Sequence, residues 1–215
     1  MGFHPQMWRE ATGDFIAVVG PPAVGKTTLL KRYIDQTPTA VWVPDIKLLQ
    51  RDGRGDTYLT RYLHGDRSFA LPCQMETLLL RAHQALKAAD GSILDQHIYT
   101  SLAYSKALRH RADLTAEEFE TFYRYYCLVS SALPTPKAVV HLTARTEVLM
   151  RRLRARRRKI ERDFTSAYVS LVAACFEEVA EDLREKVTVV RLDSSDMNRA
   201  EVLERFTELF RRSEP

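Results

Sequence analysis

The chain has no long hydrophobic run. Its longest apolar stretches, such as Phe15–Val19 and Ala138–Val140, are strand-sized and bounded by polar residues, so no membrane-spanning helix is expected. Met1–Asp14 lacks the basic-then-apolar pattern of a leader and reads as a short polar arm of a cytoplasmic protein. Cysteine is scarce: Cys73, Cys127 and Cys175 are odd in number and far apart, which excludes a disulfide framework and a C-x-x-C metal site and suits a reduced compartment. The six histidines show no H-E-x-x-H or comparable ligand spacing. Repeats, linkers and low-complexity segments are missing too, so 215 residues are expected to form one domain, 1–215, large enough to bury a full core. Hydrophobic residues at 45% and charged residues at 28% exclude a disordered or fibrous chain.

What is present is concentrated early. Phe15-Ile-Ala-Val-Val opens directly into Gly20-Pro21-Pro22-Ala23-Val24-Gly25-Lys26-Thr27-Thr28, a G-x-x-x-x-G-K-T phosphate-binding loop between a buried strand and a helix starting near Lys26. The two glycines take backbone angles closed to other residues, so successive N–H groups turn inward toward phosphate oxygens at the positive end of the helix. Lys26 is read as a mobile, solvent-exposed cation, and Thr27 as a hydroxyl for Mg²⁺. A bound nucleoside triphosphate, ATP with Mg²⁺, follows as the cofactor.

Strands and helices alternate along the rest, which predicts a parallel sheet covered on both faces. Strands are expected at Phe15–Val19, Thr39–Val43, Ser92–Leu94, Ala138–Leu142 and Val187–Leu192. Loop signals lie at Gly53–Asp56 and Gly65–Ser68. Helices are expected over about Leu71–Ala89, Thr100–Arg111, Ala116–Leu133 after the capping box Thr115-x-x-Glu118, Thr146–Arg156, Thr165–Glu185 and Asn198–Arg212. Pro134-Thr-Pro136 marks the end of a helix. Asp45 and Asp95 each follow a strand at the carboxyl edge of the sheet, where such folds bind ligands.

The net charge of +4 is unevenly placed, with most of it in Arg151–Lys159. Such a run serves nucleic-acid phosphates, a solvated helix face, or a clamp on migrating negative charge. Beside a phosphate-binding loop the clamp is the preferred reading, and Arg154–Asp163 is a candidate mobile lid. A GTPase would show N-K-x-D and D-x-x-G elements, and a helicase or transporter ATPase an acidic pair after Ser92-Ile-Leu-Asp95; neither occurs. A small-molecule kinase remains, needing an acceptor-orienting carboxylate, a metal-side carboxylate and arginines over the transferring group. A nucleic-acid-binding ATPase or DNA-directed kinase is the alternative of another class.

From Phe15 to about Glu181 the chain resembles the deoxynucleoside kinase family and its thymidylate kinase relatives. Val43-Pro44-Asp45 is similar to the family's V-P-E-P, whose acid accepts the proton of the 5′-hydroxyl; Asp45 is one methylene shorter. Tyr62 through Gln74 and on to Arg81 is similar to F-Y-x-D-x-x-x-W-x-F-x-F-Q…L-x-x-R, with Phe69 in place of the tryptophan. That match implies that Gln74 reads the base edge with Arg81 beside it. Asp95-Gln96-His97-Ile-Tyr-Thr-Ser101 falls on E-R-S-x-Y-S, or on the D-R-Y-x-x-S-S-x-A-Y of thymidylate kinases, to which Ser101-Leu-Ala-Tyr104 leans. Gln96 replaces an arginine that the family aims at the phosphates, so either His97 or a lid arginine takes over that charge, or turnover is slower than usual. Ser101 stands where cytosine-preferring members carry an acid near Arg81, which leaves base preference open. Leu142-Thr-Ala-Arg-Thr-Glu147, Arg152-x-x-x-Arg156-x-Arg158-x-x-Glu161 and Tyr168 resemble the family's lid.

The resemblance implies a three-layer α/β P-loop fold with a five-stranded parallel sheet and a helical lid at about 154–163. It implies transfer of the γ-phosphoryl of ATP to the 5′-hydroxyl of a (deoxy)nucleoside, or alternatively to a nucleoside monophosphate. Lys26, Asp45, Asp95, Arg152, Arg156 and Arg158 would be catalytic, Thr27 and Asp95 would hold the metal, and Asp45, Tyr62, Gln74, Arg81, Gln96, His97, Ser101 and Glu161 would face the acceptor. The expected partner is a small nucleoside, with at most a second copy of the chain, and neither nucleic acid nor membrane.

Overall fold

A computed structural model describes residues 12–46, 57–158 and 161–211. Its strands are β1 (Thr12–Val19), β2 (Val41–Val43), β3 (Ser92–Asp95), β4 (Thr135–Thr143) and β5 (Thr188–Asp193). They form one sheet in the order β2-β3-β1-β4-β5, with every pairing parallel. Parallel strands need crossovers, and the helices that make them cover both faces. Side chains along β1 therefore split with a period of two: Phe15, Ala17 and Val19 join one core cluster, Val18 the other.

Helices α3 (Ala70–Leu86), α4 (Ile98–His110), α5 (Ala116–Ser131) and α7 (Ser166–Leu183) bring Leu78, Leu102, Phe122 and Phe176 to the first cluster. Helices α1 (Lys26–Gln36), α6 (Thr146–Arg156) and α8 (Arg199–Arg211) bring Leu30, Leu149 and Phe206 to the second. The Thr115–Glu118 capping box starts α5 as expected, and the three cysteines are free. Among the described residues no helix is long and apolar enough to cross a membrane.

Two elements depart from expectation. β4 begins at Thr135, inside the proline stretch taken as a terminator, because Thr135 and Pro136 align with Thr12 and Gly13 across a register shift. An irregularity there tolerates a residue that cannot donate to the ladder. The short α2 (Tyr58–Leu63) went unforeseen: it buries none of its own residues and is started by a Thr57–Thr60 capping box. The Gly53–Asp56 loop signal lies outside the described residues, as do Lys159 and Ile160 of the lid.

The carboxyl ends of all five strands open onto one edge of the sheet. Strand order turns at β1, with β3 on one side and β4 on the other, so the chain leaves β1 at a topological switch point. Gly20–Gly25, Pro44–Asp45, Asp95–His97 and Ser194–Asp196 all follow strands at this edge.

Candidate active site

At the end of β1 the loop closes tightly on its neighbour. Gly20 has φ +152°, and a Cβ there would lie 2.2 Å from the Leu142 carbonyl oxygen, so only glycine fits. Gly25, at φ +109° in the left-handed region, forms the N-cap of α1. Lys26 is not exposed, contrary to the sequence expectation. It is buried, with Nζ donating to the carbonyls of Gly20 at 2.7 Å and Pro21 at 3.0 Å. An ammonium has three donors and no acceptor, so a loop rich in turned carbonyls captures it. Burial lowers its pKa to about 8, against the opposing pull of Asp95 and Asp45.

Asp95 ends β3 directly beside that helix. Its Oδ2 accepts from Thr27 Oγ1 at 2.6 Å, while its Oδ1 is buried without a hydrogen-bond partner among the described residues. Burial raises the Asp95 pKa, with Lys26 and the Thr27 hydrogen bond holding it down. Gln96 adopts φ +81°, unusual for a residue with a side chain. Its N–H donates to Val18 O at 2.9 Å and its Oε1 accepts from Thr100 Oγ1 at 2.6 Å, which commits the amide to α4. His97 packs against the rings of Tyr99 and Phe15, and neither nitrogen has a hydrogen-bond partner among the described residues. Burial pushes its pKa down to about 3. A neutral imidazole supplies no charge there.

On the other side of β3, Asp45 follows β2, accepts from Ile46 N at 2.8 Å, and lies 3.7 Å from Arg81 Nε. Gln84 fastens this turn by donating to the Pro44 carbonyl. Arg81 is buried on α3 and donates through Nη1 to Ser101 Oγ at 2.9 Å. A hydroxyl thus stands where the resemblance pointed to a missing acid. Gln74, also buried, accepts from Ser105 Oγ at 3.3 Å. Thr77 Oγ1 lies 3.4 Å from Ser101 Oγ. Thr77 and Ser105 were overlooked in the sequence, although Gln74, Thr77 and Arg81 share one helical face by spacing, as do Ser101 and Ser105.

The basic run divides. Arg152 donates through Nη1 to Val24 O and Ser194 Oγ, both at 2.9 Å, and through Nη2 to Ser194 O at 2.9 Å, so it ties the phosphate loop to the end of β5. Ser194 was overlooked too; its signal is the polar Asp193-Ser-Ser-Asp196 turn after the last strand. Arg156 pairs with Glu161 through two contacts, and Arg158 Nη1 lies 3.8 Å from the same carboxylate. Arg154 and Arg157 are exposed. Arg157 caps the end of α6 in the left-handed conformation.

Tyr62 lies elsewhere. Its hydroxyl donates to Asp113 Oδ2 at 2.7 Å, and that buried carboxylate also pairs with Arg67 and Arg111. A cavity of about 570 Å³ beside it is lined by Tyr62, Arg111, Asp113, Phe164 and Tyr168, but not by Asp45, Gln74 or Arg81. By contrast, Lys26 is close enough to Asp95, Asp45, Arg156 and Arg81 to be electrostatically coupled to all four.

A phosphate-binding loop at the switch point of a parallel sheet, flanked by two carboxylates at strand ends and by the arginines at the end of α6, defines a P-loop phosphotransferase. The family model described as deoxynucleoside kinase matches residues 16–212, and the chain belongs to that family. It is a transferase that phosphorylates a nucleoside. It is 24% identical over 192 residues to the deoxyguanosine kinase of Bacillus subtilis (strain 168), covering 85% of this chain and 87% of the relative. It is 22% identical over 191 residues to the deoxyadenosine kinase of Dictyostelium discoideum, covering 87% of this chain and 75% of the relative. Deoxyadenosine kinase from M. mycoides, solved with products dCMP and a flexible dCDP bound, shares the fold with TM-score 0.78 at 17% identity, over 93% of this chain and all of that one.

Proposed function

We propose that this protein, as a single domain spanning 1–215 with a lid at about 154–163, transfers the γ-phosphoryl group of ATP to the 5′-hydroxyl of a (deoxy)nucleoside. The observation that carries this reading is the placement of Asp45 and Asp95 at the ends of adjacent strands β2 and β3, with Lys26 coupled to both. The loop amides from Gly20 to Thr28 and the Lys26 ammonium bind the donor phosphates. Thr27 and Asp95 suit Mg²⁺: a hydroxyl and a carboxylate in contact, one carboxylate oxygen buried and unpartnered, make the hard oxygen set that ion takes. When bound, Mg²⁺ neutralises charge on the phosphate oxygens.

Asp45 is open enough at its side chain, 34% exposed, to meet an acceptor hydroxyl, and it orients that hydroxyl and takes its proton. Arg156 and Arg158, sharing one carboxylate, can exchange it for the charge of the transferring group. Arg152 acts by holding the loop through Val24. Gln74, Arg81 and Ser101 face the base, and Glu161 the sugar side. Gln96 and His97 shape the turn after β3, and Tyr62 contributes through its anchor on Asp113. The protein works in the cytoplasm on a small molecule, alone or as a pair of copies, without nucleic acid.

A screen of nucleosides, their monophosphates and unrelated alcohols, with ATP consumption followed and products assigned by phosphorus NMR, tests the reading. A 5′-monophosphate formed from a nucleoside supports it. A diphosphate formed only from monophosphates, or salt-sensitive DNA binding with no nucleoside turnover, overturns it.

A further inference from the structure

The last turn of α4 and the middle of α7 bring together three side chains that no spacing along the chain connects. His110 ends α4, while Cys175 and Glu178 share one face of α7 at helical spacing. The ligand atoms of this imidazole, thiol and carboxylate all lie within 4.8 Å of one another. His110 and Glu178 are exposed, and Cys175 is buried.

The cluster is not an ion-pair network. Among the described residues no hydrogen bond or salt bridge joins any two of the three. Glu178 instead accepts through Oε2 from Nζ of Lys106, one turn earlier on α4, at 3.1 Å. Such a contact fixes one carboxylate oxygen and orients the group, as outer partners do for metal ligands. Asp182, 3.4 Å from the same ammonium, offsets the Lys106 charge. The closing carbonyls of α4 add the negative pole of the helix, which favours a cation beside His110.

We propose that His110, Cys175 and Glu178 bind a zinc ion that fastens the end of α4 to α7. One nitrogen, one sulfur and one oxygen suit Zn²⁺, which is borderline-soft and tetrahedral, whereas Mg²⁺ takes oxygen ligands. An ion about 2.0–2.3 Å from each ligand sets the ligand atoms roughly 3.5 Å apart, so the three need to close by only about 1 Å. Side-chain rotation of the exposed His110 and Glu178 supplies that movement, and water completes the fourth position. Burial, with Glu178 beside it, pushes the Cys175 thiol up to about 11; the ion replaces that proton, which passes to solvent. The site is separate from the Mg²⁺ ligands proposed at Thr27 and Asp95. α4 starts after the Asp95–His97 turn, and its 13 residues carry His110 roughly 18 Å farther along. Zinc there acts on the packing of two helices and not on phosphoryl transfer.

The test is a Co²⁺ titration of the untagged, reduced full chain, read by absorption and followed by displacement with Zn²⁺. One equivalent should produce the charge-transfer band of a cobalt–thiolate bond, which Zn²⁺ removes and a large excess of Mg²⁺ does not. Cys175→Ser should lose the band, whereas Cys127→Ser, which changes an exposed thiol on α5, should keep it. His110→Ala alters an exposed helix end and spares the core. It should weaken Zn²⁺ binding by calorimetry at least about tenfold, and should lessen the rise in Tm that Zn²⁺ gives the intact protein. A chain that binds neither Co²⁺ nor Zn²⁺, a thiolate band that survives Cys175→Ser, or an affinity unchanged by His110→Ala would overturn the proposal.

Discussion

Thr27 Oγ1 donates to Asp95 Oδ2 at 2.6 Å, joining the first turn of α1 to the end of β3 across 68 residues of chain. The contact places a hydroxyl and a carboxylate, both hard oxygen ligands, beside the Lys26 ammonium. Asp45, two residues beyond the end of β2 at the same edge, has no part in that contact.

The two aspartates should therefore fail differently. Asp45→Asn should lower kcat by about 10² to 10⁴ through loss of acceptor activation, with the Mg²⁺ concentration for half-maximal rate unchanged. Asp95→Asn should raise that concentration as well as lowering the rate. Magnesium titrations of initial rate measure the distinction, and an unaltered Mg²⁺ dependence in both variants would remove Asp95 from the metal.

Lys26 gives a signature in pH. With its free-state pKa lowered to about 8, the ammonium is lost as pH rises from 7 to 9, so ATP affinity should weaken over that range and binding should take up a proton. Calorimetry in buffers of different ionisation enthalpy reports the proton. The unfolded chain holds that proton more tightly, so the stability of the unliganded protein should climb between pH 8 and 10.5. Lys26→Ala should abolish both trends and reduce kcat by about 10² or more.

Among the basic residues near the lid, register should decide the outcome. Arg156→Ala and Arg158→Ala should lower kcat steeply, while Arg154→Ala and Arg157→Ala, exposed and outside the Glu161 cluster, should keep most activity. Arg152→Ala should act mainly on KM for ATP, because its guanidinium braces the Val24 carbonyl of the phosphate loop. Equal, graded losses across all five variants would point instead to an unregistered phosphate-backbone patch.

His97 should report on acid stability rather than catalysis. Its pKa of about 3 in the folded protein lies below the ordinary value of 6.5, so the unfolded chain binds the proton more tightly between those limits. Stability should fall as pH drops from 7 to 5, by roughly 2 kcal/mol from this residue. His97→Phe, which keeps a ring between Phe15 and Tyr99, should flatten Tm against pH. His141, lowered by burial to about 4, leaves a residual slope. An undiminished slope in the variant would show that His97 is not the buried titrating group.

The phosphate loop was legible because its chemistry is local: strand, glycine turn and helix are adjacent in the chain, and Gly20 and Gly25 occupy backbone conformations that favour glycine. The alternation of strands and helices and the capping box at Thr115 were legible for the same reason. The start of β4 was not, because Pro136 is a terminator by local preference and belongs to a strand only through its alignment with Gly13. Nor was α2, which is short and buries none of its own residues.

By itself, the sequence determined a parallel α/β fold, a phosphate-binding loop, and the identities of Asp45, Asp95, Gln74, Arg81 and the lid arginines as candidates. The fold and the loop depend on residue type, on periodicity and on contiguous parts, while Gln74, Arg81 and the lid arginines stand out through the resemblance to the deoxynucleoside kinase family. Tertiary structure alone decided what each side chain touches: Lys26 captured by loop carbonyls, Arg152 bracing Val24, Arg156 held by Glu161, His97 neutral and buried, Arg81 on Ser101 with an unpartnered Nε. A donor's charge and partners depend on its burial and on which distant segment meets it. Both are properties of packing between residues as far apart as Val24 and Arg152, which no local pattern encodes.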